Sequence, residues 1–143
     1  MKLLPLLCLL LLVGCHKGSD LAGKWQSKAN WGGSPAHVLL ELHDDTTWTR
    51  TTTVSSNMLS MTQTMKGHWQ SDGNLVTMGV EDLTYSVKGD PSVAAAIQQQ
   101  FEARKAQEME LANRTPGRVI RHVSDGRLML STATYTETFT PVK

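Results

Sequence analysis

Two cysteines, five histidines and seven methionines are the side chains here best suited to carry a lipid, a metal or a nucleophile. Cys8 lies inside a leucine run, and Cys15 stands directly behind that run, after Gly14. A thiol that gains thiolate character is the nucleophile able to take up an alkyl group as a thioether, and Cys15 is placed for that chemistry. His37 and His43 share one strand face, but six residues of extended chain hold them roughly 20 Å apart, too far to chelate one ion. His43-Asp44-Asp45 offers hard and borderline ligands, although a polar turn is expected there. Met58, Met61 and Met65 precede His68 and Trp69, and soft thioethers select Cu(I). In a strand, however, Met61 and Met65 point to one face and Met58 and His68 to the other. Methionine also fills irregular cores, so packing is the better account of these residues. No G-x-S-x-G nucleophile motif occurs, and the acidic and serine residues are scattered through turns. The chain therefore reads as non-enzymatic, with no cofactor and no metal site.

The elements that position these residues begin at the N-terminus. Lys2 gives a small positive start, and Leu3 to Val13 is an apolar run of about eleven residues. A bilayer-crossing helix needs roughly 20 such residues, so the run reads as the core of a secretory signal. It ends in Leu12-Val13-Gly14-Cys15, which resembles the lipobox of bacterial lipoproteins. The resemblance implies diacylglycerol on the Cys15 sulfur, cleavage before Cys15 and acylation of the new amino group. Each buried acyl CH₂ contributes about 0.8 kcal/mol, so two or more chains anchor stably where one binds reversibly. The expected organisation is a cleaved signal peptide over 1–14, a lipidated tether over 15–21 and one domain over 22–143. His16 follows the cysteine, and the enteric sorting rule then favours the outer membrane, facing the periplasm.

Charge narrows the partners. The formal net charge is +1, and loss of Lys2 from the 14 Lys and Arg residues leaves a balance with the 13 Asp and Glu. No nucleic-acid footprint is present in such a chain. Once Cys8 leaves with the signal and Cys15 is lipidated, no disulfide can form even in an oxidising compartment. Stability must come from the core.

From Ala22 onward the chain reads as short strands: one opening at Gly23, then Ala36–His43, Thr46–Val54, Met58–Gln70, Leu75–Met78 and Leu83–Val87. Leu59, Met61, Met65 and Trp69 share one face of the fourth. Ser71-Asp72-Gly73-Asn74 suits a hairpin turn, since Gly and Asn tolerate positive φ. Asp90 then offers an N-cap and Pro91 a first helical residue. Strong helix formers continue to Ala112, which predicts a helix over about 91–113. Val93, Ile97 and Phe101 form its apolar stripe, so the first half should pack on the sheet and the polar second half should project into solvent. There Arg104, Lys105 and Glu108 are candidate partner-binding residues. Three closing strands follow, Arg118–Val123, Arg127–Ser131 and Thr134–Thr140, with Asp125-Gly126 as a tight turn. The fold class is mainly β: an antiparallel up-and-down meander or small barrel of about eight or nine strands with one inserted helix. Closing the meander into a barrel removes exposed edges.

Gly23-Lys24-Trp25 resembles the opening G-x-W of lipocalins and the wider calycin-like families. The likeness continues in Leu40-Glu41-Leu42 with its Asp44-Asp45-Thr46-Thr47-Trp48-Thr49 turn, in Gly67-His68-Trp69-Gln70, and in Thr134-Tyr135-Thr136-Glu137-Thr138-Phe139. Small bacterial lipocalin-like lipoproteins share this rhythm. The resemblance implies that Gly23 and Trp25 close the barrel base, with Arg121 and Arg127 as candidates for the late arginine over the tryptophan. The chain departs from the family in its shortness, in lacking a T-D-Y motif and in placing its helix two or three strands early. The expectation is a lipid-anchored envelope binding module for a small apolar ligand or an envelope protein partner. The alternative is a periplasmic inhibitor or immunity lipoprotein against a secreted toxin or cell-wall hydrolase. Copper binding by the Met-rich strand is the weakest of the three.

Overall fold

The computed structural model describes residues 21–72, 75–114, 116–122, 126–132 and 135–143, with the backbone alone for 72 and 117–122. The signal segment, Cys15, most of the tether and the tips at 73–74 and 123–125 lie outside the described residues. Eight antiparallel strands run in chain order: β1 (Gly23–Trp31), β2 (Ser34–Leu42), β3 (Thr47–Ser55), β4 (Leu59–Asp72), β5 (Leu75–Gly89), β6 (Gly117–His122), β7 (Arg127–Ser131) and β8 (Thr136–Pro141). One helix, α1 (Pro91–Arg114), lies between β5 and β6. Each strand pairs with its sequence neighbour, and β8 returns to β1, closing a meander barrel. The expected class is therefore the observed one.

The alternation in the sequence decides which side chains face inward. Val38, Leu40 and Leu42 of β2 are buried, as are Trp48 of β3, Trp69 of β4 and Leu128 and Leu130 of β7. With Trp25, Val76, Met78 and Phe139 they fill the end of the barrel where β1 begins, here called the base. Trp25 sits at the closing seam, where it pairs with Pro141, and its indole N–H donates to the Leu21 carbonyl at 3.0 Å. Gly23 and Trp25 thus stand at the base, at the start of β1.

The seam is short. Only Trp25 and Gln26 of β1 pair with β8, and only Leu75–Met78 of β5 pair with β6. The upper parts of β1 and β5 therefore rise above the closed base, each with one edge free of strand partners among the described residues. Two long strands make this possible. The sequence suggests separate strands at 75–78 and 83–87, but β5 is one strand of 15 residues with a bulge. Lys66 pairs with Asp82 and Gly67 with Val80, so Glu81 is the extra residue. A bulge shifts the alternation by one: Val76 and Met78 point inward below it, Leu83 and Tyr85 above it. That shift is what makes the strand look interrupted in sequence. At the bulge a Cβ on Gly67 would stand 1.9 Å from the Gly79 carbonyl oxygen, and the Trp48 indole N–H donates to that same oxygen at 3.0 Å. Only glycine allows so close a backbone approach.

Helix α1 covers the free edge of β5, and this corrects two expectations. Val93 is exposed and Ala94 is buried, while Ile97 and Phe101 are half-buried, so the face turned to the barrel keeps two residues of the Val93–Ile97–Phe101 stripe and replaces the first by Ala94. The second half does not project into solvent. The less exposed row runs Ala94, Gln98, Phe101, Lys105, Glu108 and Ala112, at the three- and four-residue spacing of one helix face. Its polar members meet a strand edge. Gln98 accepts from the Val87 N–H at 3.1 Å and donates to the Tyr85 carbonyl at 2.9 Å. Asn113 accepts from the Val80 N–H at 2.9 Å and donates to the Val80 carbonyl at 2.7 Å. Two side-chain amides thus supply what a neighbouring strand would, and a row of open backbone groups is satisfied. Asp90 caps the helix start, accepting from the Ser92 and Val93 amides.

Candidate cleft at the barrel mouth

Above the filled base the interior changes character. The inward positions there are Ser27 of β1, Arg50 and Thr52 of β3, Gln63 of β4, Tyr85 of β5 and Glu137 of β8. Ser27, Thr52, Gln63 and Glu137 are the buried polar side chains among the described residues. A cleft of about 530 Å³ opens between β1, β3 and the start of β8. Small-molecule sites commonly span roughly 300–1,000 Å³. Ser27, Ala29 and Trp31 line it from β1, Arg50, Thr52 and Glu137 form the floor, and Tyr135 lines the opposite side.

The floor carries an ion pair. Arg50 Nη2 lies 2.8 Å from Glu137 Oε2, and the two side chains are 12% and 6% exposed. Arg50 Nη1 also donates to the Tyr135 hydroxyl at 3.0 Å. Two buried atoms of this pair, Arg50 Nε and Glu137 Oε1, have no hydrogen-bond partner among the described residues. Desolvating two charges costs several kcal/mol each, and an ion pair replaced by apolar residues is often neutral or stabilising, so a buried pair is weak support for stability.

A second polar cluster closes the helix side. Gln63 donates to the Tyr85 hydroxyl at 3.1 Å, and that hydroxyl donates to the Glu108 carboxylate. Burial pushes the Tyr85 hydroxyl up to about 12, helped by its hydrogen bond to Glu108. Phe101 stacks on the Tyr85 ring with centroids 4.7 Å apart and meets Trp31 at 6.3 Å. The aromatic trio links β5, α1 and the rim of β1.

The residues singled out by sequence are dispersed. Of the candidate helix residues, Arg104 is exposed, Lys105 lies 3.6 Å from Asp82, and Glu108 receives the Tyr85 hydroxyl. Met61 and Met65 are half-buried on the inner face of β4, while Met58 and His68 are exposed, and His68 pairs with Glu81 at 2.6 Å. The four are not brought together. Asp45 lies in the β2–β3 turn, where its carboxyl falls below its usual value because the Thr47 hydroxyl donates to it. Among the described residues no three His, Cys, Asp or Glu side chains are grouped to hold a metal ion. Arg127 is on an exposed strand position, and the Arg121 side chain lies outside what is described. None of their helices is long and apolar enough to cross a membrane. Arg50 and Glu137 carry a signal that sequence reading passed over: each shares inward parity with a large aromatic, Trp48 and Phe139.

No protein-family model and no curated protein matches the chain.

Proposed function

We propose that this chain is a lipid-anchored binding module of the bacterial envelope, non-enzymatic, whose barrel mouth holds a small molecule. The observation that carries the reading is the open cleft of about 530 Å³ above the packed base, lined by Trp31, Tyr135 and the Arg50–Glu137 pair. The packed base leaves the mouth as the place for a ligand, and the polar floor adds a requirement to the apolar ligand expected from sequence. Such a ligand brings polar atoms for the floor and apolar surface for Trp31 and Tyr135. The leader and Cys15 support attachment to a membrane, with His16 favouring the outer membrane and the domain facing the periplasm.

The test is mass spectrometry of small molecules retained by the full chain purified from its own membranes, compared with Ala29→Trp. Ala29 lines the cleft, and an indole there occupies it. A compound retained by the wild type and lost from Ala29→Trp supports the reading. Identical small-molecule profiles for the two proteins contradict it.

A further inference from the structure

We infer that the ligand of this cleft is a short peptide in extended conformation, added as a strand along the open edge of β1, an assignment that rests on reading the cleft as a binding site. The lining residues define the kind of opening. Side chains alternate along a strand, so a cavity inside a barrel is lined by every second residue. β3 follows that rule, contributing Arg50 and Thr52 but not Thr51. The other two sides do not: residues 27–31 line the cleft in unbroken succession, and so do residues 135–138. Strands that contribute every residue border the cleft with their edges. It is a gap in the barrel wall between β1 and β8, above the pairs Trp25–Pro141 and Gln26–Thr140.

Parity decides which backbone groups face the gap. Gly32 and Gly33, both at positive φ, form the two-residue turn of the β1–β2 hairpin, and Trp31 pairs with Ser34 across it. In such a hairpin the flanking pair is hydrogen-bonded and the pattern alternates, so Trp31, Ala29 and Ser27 turn their backbone groups to β2. The even residues turn theirs to β8: the Lys24 carbonyl accepts from the Val142 amide at 2.9 Å, and Gln26 pairs with Thr140. Lys28 and Asn30 come next in that row and have no strand partner on that side among the described residues. Across the gap the Tyr135 carbonyl accepts from the Thr132 amide at 2.9 Å, so Thr136 and Thr138 are the residues turned toward β1. An N–H and a C=O recur on each edge at every second residue, and an extended peptide presents the same groups at the same spacing. The gap is bounded on both sides, so a lone chain enters where a second barrel, bringing β2 along with β1, does not. The open edge of β5 is covered by Gln98 and Asn113, whereas no side chain among the described residues bonds the Lys28 or Asn30 backbone. The exposed Lys28 side chain on the outer face favours an acidic residue beside it.

Calorimetric titration of the purified full chain with the capped pentapeptide Val-Thr-Val-Glu-Val tests this. Its valines alternate with polar residues to suit an inner and an outer face, and when it runs antiparallel to β1 its Glu stands beside Lys28. A control peptide carries N-methyl groups on the Thr and Glu nitrogens, which removes the two donors aimed at β1 and keeps every side chain. The first peptide is expected to bind, and the methylated one to bind about tenfold more weakly or worse, a factor equivalent to 1.4 kcal/mol. Backbone amide exchange gives an independent readout: on binding, Lys28 and Asn30 should slow, while Ala29, already bonded to β2, stays as it was. Asn30→Pro removes one edge N–H without touching the β1–β2 ladder and should weaken the peptide as well. Should Asn30→Pro fail to fold, the methylated peptide and the exchange pattern decide. Absence of pentapeptide binding, equal affinity of the two peptides, or unchanged exchange at Lys28 and Asn30 overturns the inference. A retained compound that is not a peptide and is lost from Ala29→Trp overturns the peptide class while leaving the cleft in place. The cleft reading itself fails only on the separate comparison with Ala29→Trp.

Discussion

Arg50 and Glu137 are a costly pair for so small a barrel. Each sits on the inward face of its strand, and the interior around them offers Tyr135 as the one further partner given to the guanidinium. Removing one member leaves the other as an unpaired buried charge, which typically costs about 3–5 kcal/mol. Arg50→Met should lower the unfolding free energy by about that much, measured by urea denaturation. The double variant Arg50→Met/Glu137→Leu removes both charges and should recover most of the loss, because apolar replacement of a buried pair is often neutral or better. A double variant as unstable as the single one would show that the pair holds the barrel together. Recovery would leave ligand contact as the reason for its presence. Neither residue stands out in the sequence. Thr47–Ser55 reads as a threonine-rich, half-exposed strand, and Glu137 reads as one more polar residue in a Thr-Glu-Thr run. Their buried placement follows only when parity is anchored on Trp48 and Phe139.

The secondary elements were legible from periodicity, and the misread ones share a physical cause. Val38-Leu39-Leu40 with Leu42, and Leu59 to Trp69, alternate cleanly, because one face of each strand lines a packed interior. The 75–89 strand looked broken because the Glu81 bulge moves the inward set from even to odd positions. Helix α1 looked half unattached because apolar spacing reports burial against an apolar face, whereas this helix covers a strand edge with amides. That edge role gives a direct prediction. In Gln98→Ala/Asn113→Ala the backbone groups of Val80 and Val87 lose their partners, each hydrogen bond being worth about 0.5–1.5 kcal/mol. Amide exchange at Val80 and Val87 should quicken while exchange at Val38 and Leu40 in the base stays slow. Equal exchange at all four, before and after substitution, would show that α1 does not guard the edge.

The same seam has a pH signature. Tyr85 is raised from its ordinary value of 10.0 to about 12 in the folded chain. The unfolded chain therefore releases this proton first. The stability tied to the neutral hydroxyl is complete below pH 10 and is lost as the pH rises toward 12. Unfolding free energy measured across that range should fall more steeply for the wild type than for Tyr85→Phe. Parallel curves would remove Tyr85 from the account. Asp90 works in the opposite sense. Its carboxyl is lowered by the Ser92 hydroxyl and the Val93 and Ser92 amides, so its help to the helix start is present above the ordinary aspartate value of 3.8 and is lost as the pH falls through the lowered one.

At the scale of the whole molecule the barrel divides into two structurally different halves. The base is closed, apolar and packed, with Trp25 at the seam and Phe139 fully buried. The mouth is open, polar and flanked by aromatics, and the short seam with the long β4–β5 hairpin creates it. A rigid base below an open mouth is the arrangement expected of a binding barrel, in which the scaffold fixes the site geometry. Where that barrel works depends on the other end of the chain. Under the proposed lipid anchor at Cys15, a neutral domain on a tether of a few residues would operate at the membrane surface, and that placement would determine which ligands the mouth can meet. The most direct measurement of that claim is metabolic palmitate labelling of the wild type beside Cys15→Ala. Label and a shortened, membrane-bound chain are expected for the wild type, and neither label nor processing for Cys15→Ala. Equal labelling of the two, or a wild-type chain that carries no lipid, would contradict it.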